Sequence, residues 1–250
     1  MTRKHCSFFH TTITVILLCG VFTAAVGTAF SDRHDTRQTD AGVGADAGWI
    51  TNEITVVIDA GHGGEDGGTQ SAAGLLEKEI NLEIAKLLEA MLRANGIATV
   101  MTRNEDILLY DRNADYQSHK KMLDLAARRR TAEETEHAVF VSIHMNYFPE
   151  PQYRGLQVFY SVHHPNSEIL AEQIQCTAST YWQSNNKRQT KPATSAIYLL
   201  DRLTCPAVLV ECGFLSNPEE AALFSQADYK QEAAFTIFSA LMSYISESNA

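Results

Sequence analysis

Four residues able to bind a metal or move a proton stand at the edges of apolar segments. They are His62 in IDAGHGGEDGG, Glu77 in GLLEKEINL, His144 in FVSIHMN and Glu211 in AVLVECGF. Two imidazoles and two carboxylates suffice for a catalytic zinc held by three protein ligands, with the fourth group left over as a base. The glycines around His62 permit positive φ and close backbone approach, which suits either a crowded metal site or a phosphate cradle. The run lacks the Lys-Ser or Lys-Thr ending of a nucleotide loop, and the chain has no GxGxxG fingerprint, so the phosphate reading recedes.

Each group also has a bland reading. Glu77 opens a helical pattern, where a carboxylate favours the helix dipole, and spacing alone leaves Glu79 and Glu83 as competitors. His144, between Ser142 and Asn146, ends an otherwise apolar run, an unusual place for an imidazole unless it points into a site. Glu211 ends a run through the interior, where an unpaired carboxylate is costly; burial raises its pKa, as a base working near neutral pH requires. Asp59 reads equally as a hydrogen-bond partner for a ligand histidine or as a cap of the turn.

These residues need elements to carry them. Ile54 to Ile58 is a β-branched run, the pattern of a strand buried on both faces of a parallel sheet. From Lys78 to Ala94, Ile80, Ile84, Leu87, Leu88 and Met91 make a helical stripe, and Asn95-Gly96 supplies the stop. Further strands are expected over Ile97–Thr102, Val139–His144, Gly155–Tyr160, Ile197–Leu200 and Ala207–Glu211. Helices are expected over Met122–Thr135, Asn166–Tyr181 and Tyr229–Ile245. The alternation predicts an α/β fold: one domain with a mostly parallel sheet flanked by helices on both faces, and functional groups at the strand C-termini.

Composition narrows the function classes. A chain of 250 residues, 45% hydrophobic, can bury one sizeable core, and a net charge of −10 argues against nucleic acid as a partner. Arg128-Arg129-Arg130, followed by Glu133, Glu134 and Glu136, reads as a solvated helix face. Residues 1–30 carry Arg3, Lys4 and His5 before a nearly uncharged stretch from Thr11 to Phe30, the pattern of a signal peptide or a membrane anchor. Residues 31–52 are polar and read as a flexible tether, which leaves 53–250 as the catalytic domain, outside the cytoplasm.

Four blocks in order, GHGGEDGG, LLEKEINL, SIHMN and LVECGFLSN, resemble the zinc-dependent N-acetylmuramoyl-L-alanine amidases of the type-3 amidase fold, over Ile54 to the C-terminus. Within that family the chain is most similar to amidases of the spore cortex, on GLLEKEINLEIAKLL, VMTRNED and the IYLL segment at Ile197. The resemblance implies zinc on His62, Glu77 and His144, with Glu211 catalytic. The substrate the resemblance implies is the amide joining muramic acid to L-Ala of peptidoglycan stem peptides, expected to be cleaved in the cortex on the way to muramic δ-lactam. Cys212 departs from the alanine common after the glutamate, and Gly155 to Thr194 is too short for an autoinhibitory helix, so control by expression, by location or by an activating protein partner is expected. Two other readings stay open: a different wall metallohydrolase, such as a deacetylase or peptidase, and a silent wall-binding module.

Overall fold

Strand β1 (Thr55–Ala60) pairs in parallel with β2 (Ala98–Met101) on one side and β3 (Ala138–Asn146) on the other. The computed structural model describes residues 54–110 and 119–248, so the expected leader over 1–30 and tether over 31–52 lie outside the described residues. β3 pairs in parallel with β6 (Ala207–Phe214), and β6 in turn is antiparallel to β4 (Gln157–Tyr160), which carries the two-residue edge strand β5 (Lys191–Pro192). The sheet order β2-β1-β3-β6-β4-β5, with one antiparallel pair, is the mostly parallel α/β sheet expected.

The helices are α1 (Glu77–Ala94), α2 (Lys120–Glu133), α3 (Asn166–Thr177), α4 (Pro218–Phe224) and α5 (Ala227–Ser248). Helix α1 turns Ile80, Ile84, Leu88 and Leu92 fully inward at i, i+4 spacing, each such burial contributing about 1.5–3 kcal/mol. Leu87 and Met91 flank that stripe half-buried, and the helix stops at Asn95 with Gly96 at φ 77°. With α3 and α5 it covers Val56, Ile58, Val139, Val141, Ile143, Val208 and Val210.

Strand alternation sends the intervening residues to the opposite face, where Val57, Phe140, Ala207 and Leu209 pack against Ala132 of α2 and against Leu199, Leu200 and Leu203. Further along the same strands, the residues of that alternation are Asp59, Ser142, His144 and Glu211. One face of the sheet is therefore apolar throughout, whereas the other turns polar toward the strand C-termini.

Two expectations fail locally. Ile197–Leu200 is not a strand: Asp201 N donates to Ile197 O and Leu203 N to Leu199 O, so the segment coils and uses its apolar side chains to cover the smaller core. A four-residue apolar run cannot by itself separate pairing from packing. Helix α3 ends at Thr177 and continues as one π-helical turn, Ala178–Trp182, placing Trp182 against Phe224 and Tyr229. Helix α4, unforeseen, starts where Asn217 Oδ1 accepts from the N–H groups of Glu219 and Glu220 ahead of Pro218, a strong N-terminal signal for a short helix.

Candidate metal and catalytic site

His62 follows β1 by two residues with φ 63°, a left-handed conformation that costs a non-glycine residue about 1–2 kcal/mol and persists only where its surroundings impose it. Two buried arginines impose it. Arg128 Nη2 donates to His62 O at 2.7 Å and its Nη1 to Ala60 O at 2.7 Å; Arg103 donates to Ala60 O at 2.8 Å and Gly61 O at 3.0 Å. Three consecutive carbonyls at the end of β1 are thus held by guanidinium groups, while the imidazole points the other way.

The placement of Arg128 corrects the reading of its triplet as a solvated face. Arg128 is 1% exposed and pairs with Asp124 one turn earlier and with Asp59 at 2.7 Å, whereas its neighbour Arg129 pairs with Glu133 near the surface. Asp59 accordingly neither touches a ligand histidine nor caps the turn: it accepts from Arg128, Thr102 Oγ1 and Ser142 Oγ. Burial pushes the Asp59 carboxyl up, and Arg128 with the two hydroxyls outweighs it, leaving the group below the ordinary carboxylate range.

Around Glu77 the two imidazoles converge. His62 Nε2 lies 3.2 Å and His144 Nδ1 2.9 Å from Glu77 Oε1, and one candidate ligand atom from each of the three residues falls within 4.8 Å of the others. Glu77 is 3% exposed; its oxygens accept from Thr69 N at 2.8 Å and Met145 N at 3.1 Å, so the carboxylate is fixed before any ligand arrives. Helix capping is done by others, because Glu77 N and Lys78 N donate to Thr69 O and Gly67 O. Glu79 and Glu83 are exposed, and Glu83 pairs with Lys230, which removes both competitors.

Charge distribution in the cluster is that of a cation site. Burial pushes the Glu77 carboxyl up, yet His144 and His62 outweigh it and hold it well below the usual range. Burial pulls His62 down, and Asp66, 2.9 Å from its Nδ1, together with Glu77 lifts it to about 9. Room for the rings comes from glycine: a Cβ on Gly61 would collide with the His144 imidazole, and one on Gly68, at φ 66°, would stand 2.5 Å from Glu77 Oε2.

Glu211 completes the arrangement without joining the cluster. It pairs with His144 in the β3/β6 ladder, so both side chains leave the same face, and its Oε2 is buried with no hydrogen-bond partner among the described residues. Burial, reinforced by Glu77 and only partly offset by His144 and His62, pushes its carboxyl up to about 7. Both residues face a cavity of about 240 Å³ whose far wall is the coiled segment at Ile197 and Tyr198. A fixed three-ligand cluster, an open cavity and an unpartnered carboxylate poised near neutrality can together activate water against a carbonyl.

The fold brings His62, Glu77 and His144 together with Glu211 beside them, and their supports leave a weaker mark in the sequence. Arg103 and Arg128 hold the His62 turn, Asn81 donates to Gly61 O, and Glu220 accepts from Phe214 N and Gly155 N, bracing the end of β6. A buried aspartate in the strand IDA was the available signal for a partner cation.

Comparison with known proteins agrees with this geometry. A family model described as N-acetylmuramoyl-L-alanine amidase matches residues 56–243. The germination-specific N-acetylmuramoyl-L-alanine amidase of Bacillus subtilis is 32% identical over 192 residues, covering 77% of this chain and 80% of that one. Among solved structures, the CwlD amidase from Clostridioides difficile in complex with the GerS lipoprotein superposes with a TM-score of 0.72 at 34% identity, over 77% of this chain and 98% of that one. The N-acetylmuramoyl-L-alanine amidase AmiC2 of Nostoc punctiforme gives 0.66 at 30% identity, over 78% and 98%.

Proposed function

This chain belongs to the N-acetylmuramoyl-L-alanine amidase family, and from that premise we propose that His62, Glu77 and His144 hold a zinc ion beside Glu211, which moves the protons of amide hydrolysis. The observation that carries the reading is the convergence of both imidazoles on Glu77 Oε1 next to a carboxylate whose Oε2 has no partner. Zinc, when bound, supplies Lewis acidity toward the carbonyl and makes water more acidic. Glu211 accepts the proton of the attacking water and returns it to the departing L-Ala amine, a double duty suited to a pKa near 7. Glu77, His62 and His144 keep their orientation through the turn and the backbone donors described above.

The bond cleaved is the amide between the muramic acid lactyl group and L-Ala of the stem peptide. We assign the spore cortex as the wall acted on, preparing muramic δ-lactam, on the strength of the germination-specific and CwlD relatives. The site works outside the cytoplasm, with the N-terminal segment as export signal or anchor, and the GerS complex of the clostridial relative supports a protein partner for this chain as well. Among the described residues no helix is long and apolar enough to cross a membrane.

Incubating the protein with defined muropeptides and with cortex and vegetative peptidoglycan, with and without zinc, tests the assignment by mass spectrometry. Stem peptides released with a free L-Ala amine are expected, zinc-dependent and preferentially from cortex. Acetate release would replace the amidase with a deacetylase, and binding without turnover would replace it with a wall-binding module.

A further inference from the structure

Beyond Glu211 on the side away from His144 lies strand β4, whose Gln157 pairs directly with Glu211 across the antiparallel ladder. Gln157 is 4% exposed and accepts from Arg188 Nη1 at 3.1 Å, while Arg188 Nε donates to Arg154 O at 2.7 Å. The guanidinium stacks 4.4 Å from the Phe214 ring centroid and 5.8 Å from that of Tyr153. Two acceptors and two rings therefore immobilise Arg188, a residue on a connecting loop, and its Nη2 donates to nothing among the described residues.

The neighbouring acids make no direct ion pair with its guanidinium, although the Glu220 carboxylate acts on it through space. Glu220 spends its two oxygens on the N–H groups of Gly155 and Phe214, and Glu219 pairs with Arg154 at 3.0 Å. Arg103 too is clamped without a direct carboxylate contact, but its guanidinium is spent on backbone carbonyls, whereas one edge of Arg188 is left open. Its planar fork, stacked on aromatics with one edge open, is the form in which arginine recognises a carboxylate.

We propose that Arg188, held on Phe214 and Tyr153, is a specificity residue that binds a free carboxylate of the stem peptide on the amine side of the scissile bond. The proposal rests on the amidase reading above. The peptide side is indicated because hydrolysis at this bond requires the lactyl carboxyl to be tied up in the amide, leaving the peptide to supply the free acid. Strands lie about 4.8 Å apart, and a hydrogen bond beyond Gln157 places the guanidinium roughly 8 Å from Glu211. Extended peptide covers about 3.3–3.6 Å per residue, so the carboxylate reached is that of the second stem residue. The half-exposed rings of Phe148 and Tyr153, in edge contact at 4.7 Å, would flank the same peptide.

The test is kinetic, using two synthetic muramoyl peptides that differ only in a free carboxylate or a carboxamide on the second residue, with unmodified protein, Arg188→Gln and Arg188→Lys. Loss of one charge-assisted pair predicts a fall in kcat/KM of about 10- to 100-fold, carried by KM, when either the carboxylate or Arg188 is removed. Removing both should cost little more than removing one, and Arg188→Lys should retain part of the discrimination. If Arg188 merely braced the loop, Arg188→Gln would depress both substrates equally, and that result overturns the subsite. Equal cleavage of both substrates by unmodified protein overturns it too while leaving the amidase intact. Cleavage of neither would remove the amidase reading, and the subsite with it.

Discussion

His144 and Glu211 are register partners at the C-terminal ends of β3 and β6, one belonging to the candidate metal cluster and the other with its Oε2 left without a hydrogen-bond partner among the described residues. Adjacent parallel strands thereby hold the proposed ligand and the proposed base side by side on rigid backbone, so their separation does not depend on a loop. Glu211→Gln keeps the volume and removes the proton acceptor. Its kcat should fall about 100- to 10,000-fold with zinc still bound at one equivalent, read by muropeptide turnover and metal analysis. Loss of zinc along with activity would move Glu211 into the ligand set and sink its role as base.

The same substitution should stabilise the metal-free protein. Glu211 is raised in the folded state from 4.5 to about 7, so the unfolded chain gives up its proton first. Stability is then fully present below pH 4.5 and declines as pH rises toward 7, by on the order of 3 kcal/mol for a shift of this size. Glu211→Gln has no proton to lose. In metal-free protein at pH 8 it should melt several degrees above the unmodified chain, with the gap closing near pH 4.5. Equal melting temperatures at pH 8 would show that the carboxylate is solvated after all.

How far this site could be read in advance depended on the signal each residue leaves. His144 and Glu211 interrupt apolar strand patterns at their ends, and period-2 alternation carries them to a common face, whereas His62 is brought there by the turn that follows β1. Arg128 left a misleading signal, since Arg129 and Arg130 beside it do face outward. Only the i, i+4 set Asp124, Arg128 and Ala132 marks the buried side of α2. The IYLL run obeyed hydrophobicity without obeying strand geometry, and its apolar side chains close the cavity instead. Tyr153 is 41% exposed because it stacks at the rim with Phe148 and Phe214. Tertiary partners decided these cases.

Removing either imidazole should release the metal. His62→Ala and His144→Ala each leave two of three ligands around Glu77, and neither neighbouring group offers a replacement: Asp66 contacts only the outer nitrogen of His62, and Glu211 stands outside the cluster. Each variant should lose stoichiometric zinc in metal analysis after dialysis while retaining its fold by circular dichroism. Full zinc retention in both would place the metal elsewhere.

Arg128 offers a test of whether the strained turn matters to the metal. Its side chain joins Asp59, Asp124 and the carbonyls of Ala60 and His62, so Arg128→Met leaves two buried carboxylates unpaired, an effect of about 3–5 kcal/mol on stability by equilibrium denaturation. Arg128→Lys keeps a charge for Asp59 but, as a point charge, cannot span both carbonyls, so it should lose less stability while His62 relaxes from φ 63°. Zinc affinity, measured by competition with a chromogenic chelator, should then drop about 10- to 100-fold in Arg128→Lys, the range seen when the groups that orient metal ligands are removed. Unchanged affinity in a folded Arg128→Lys would mean that Arg128 supports the sheet alone and that His62 keeps its conformation without it.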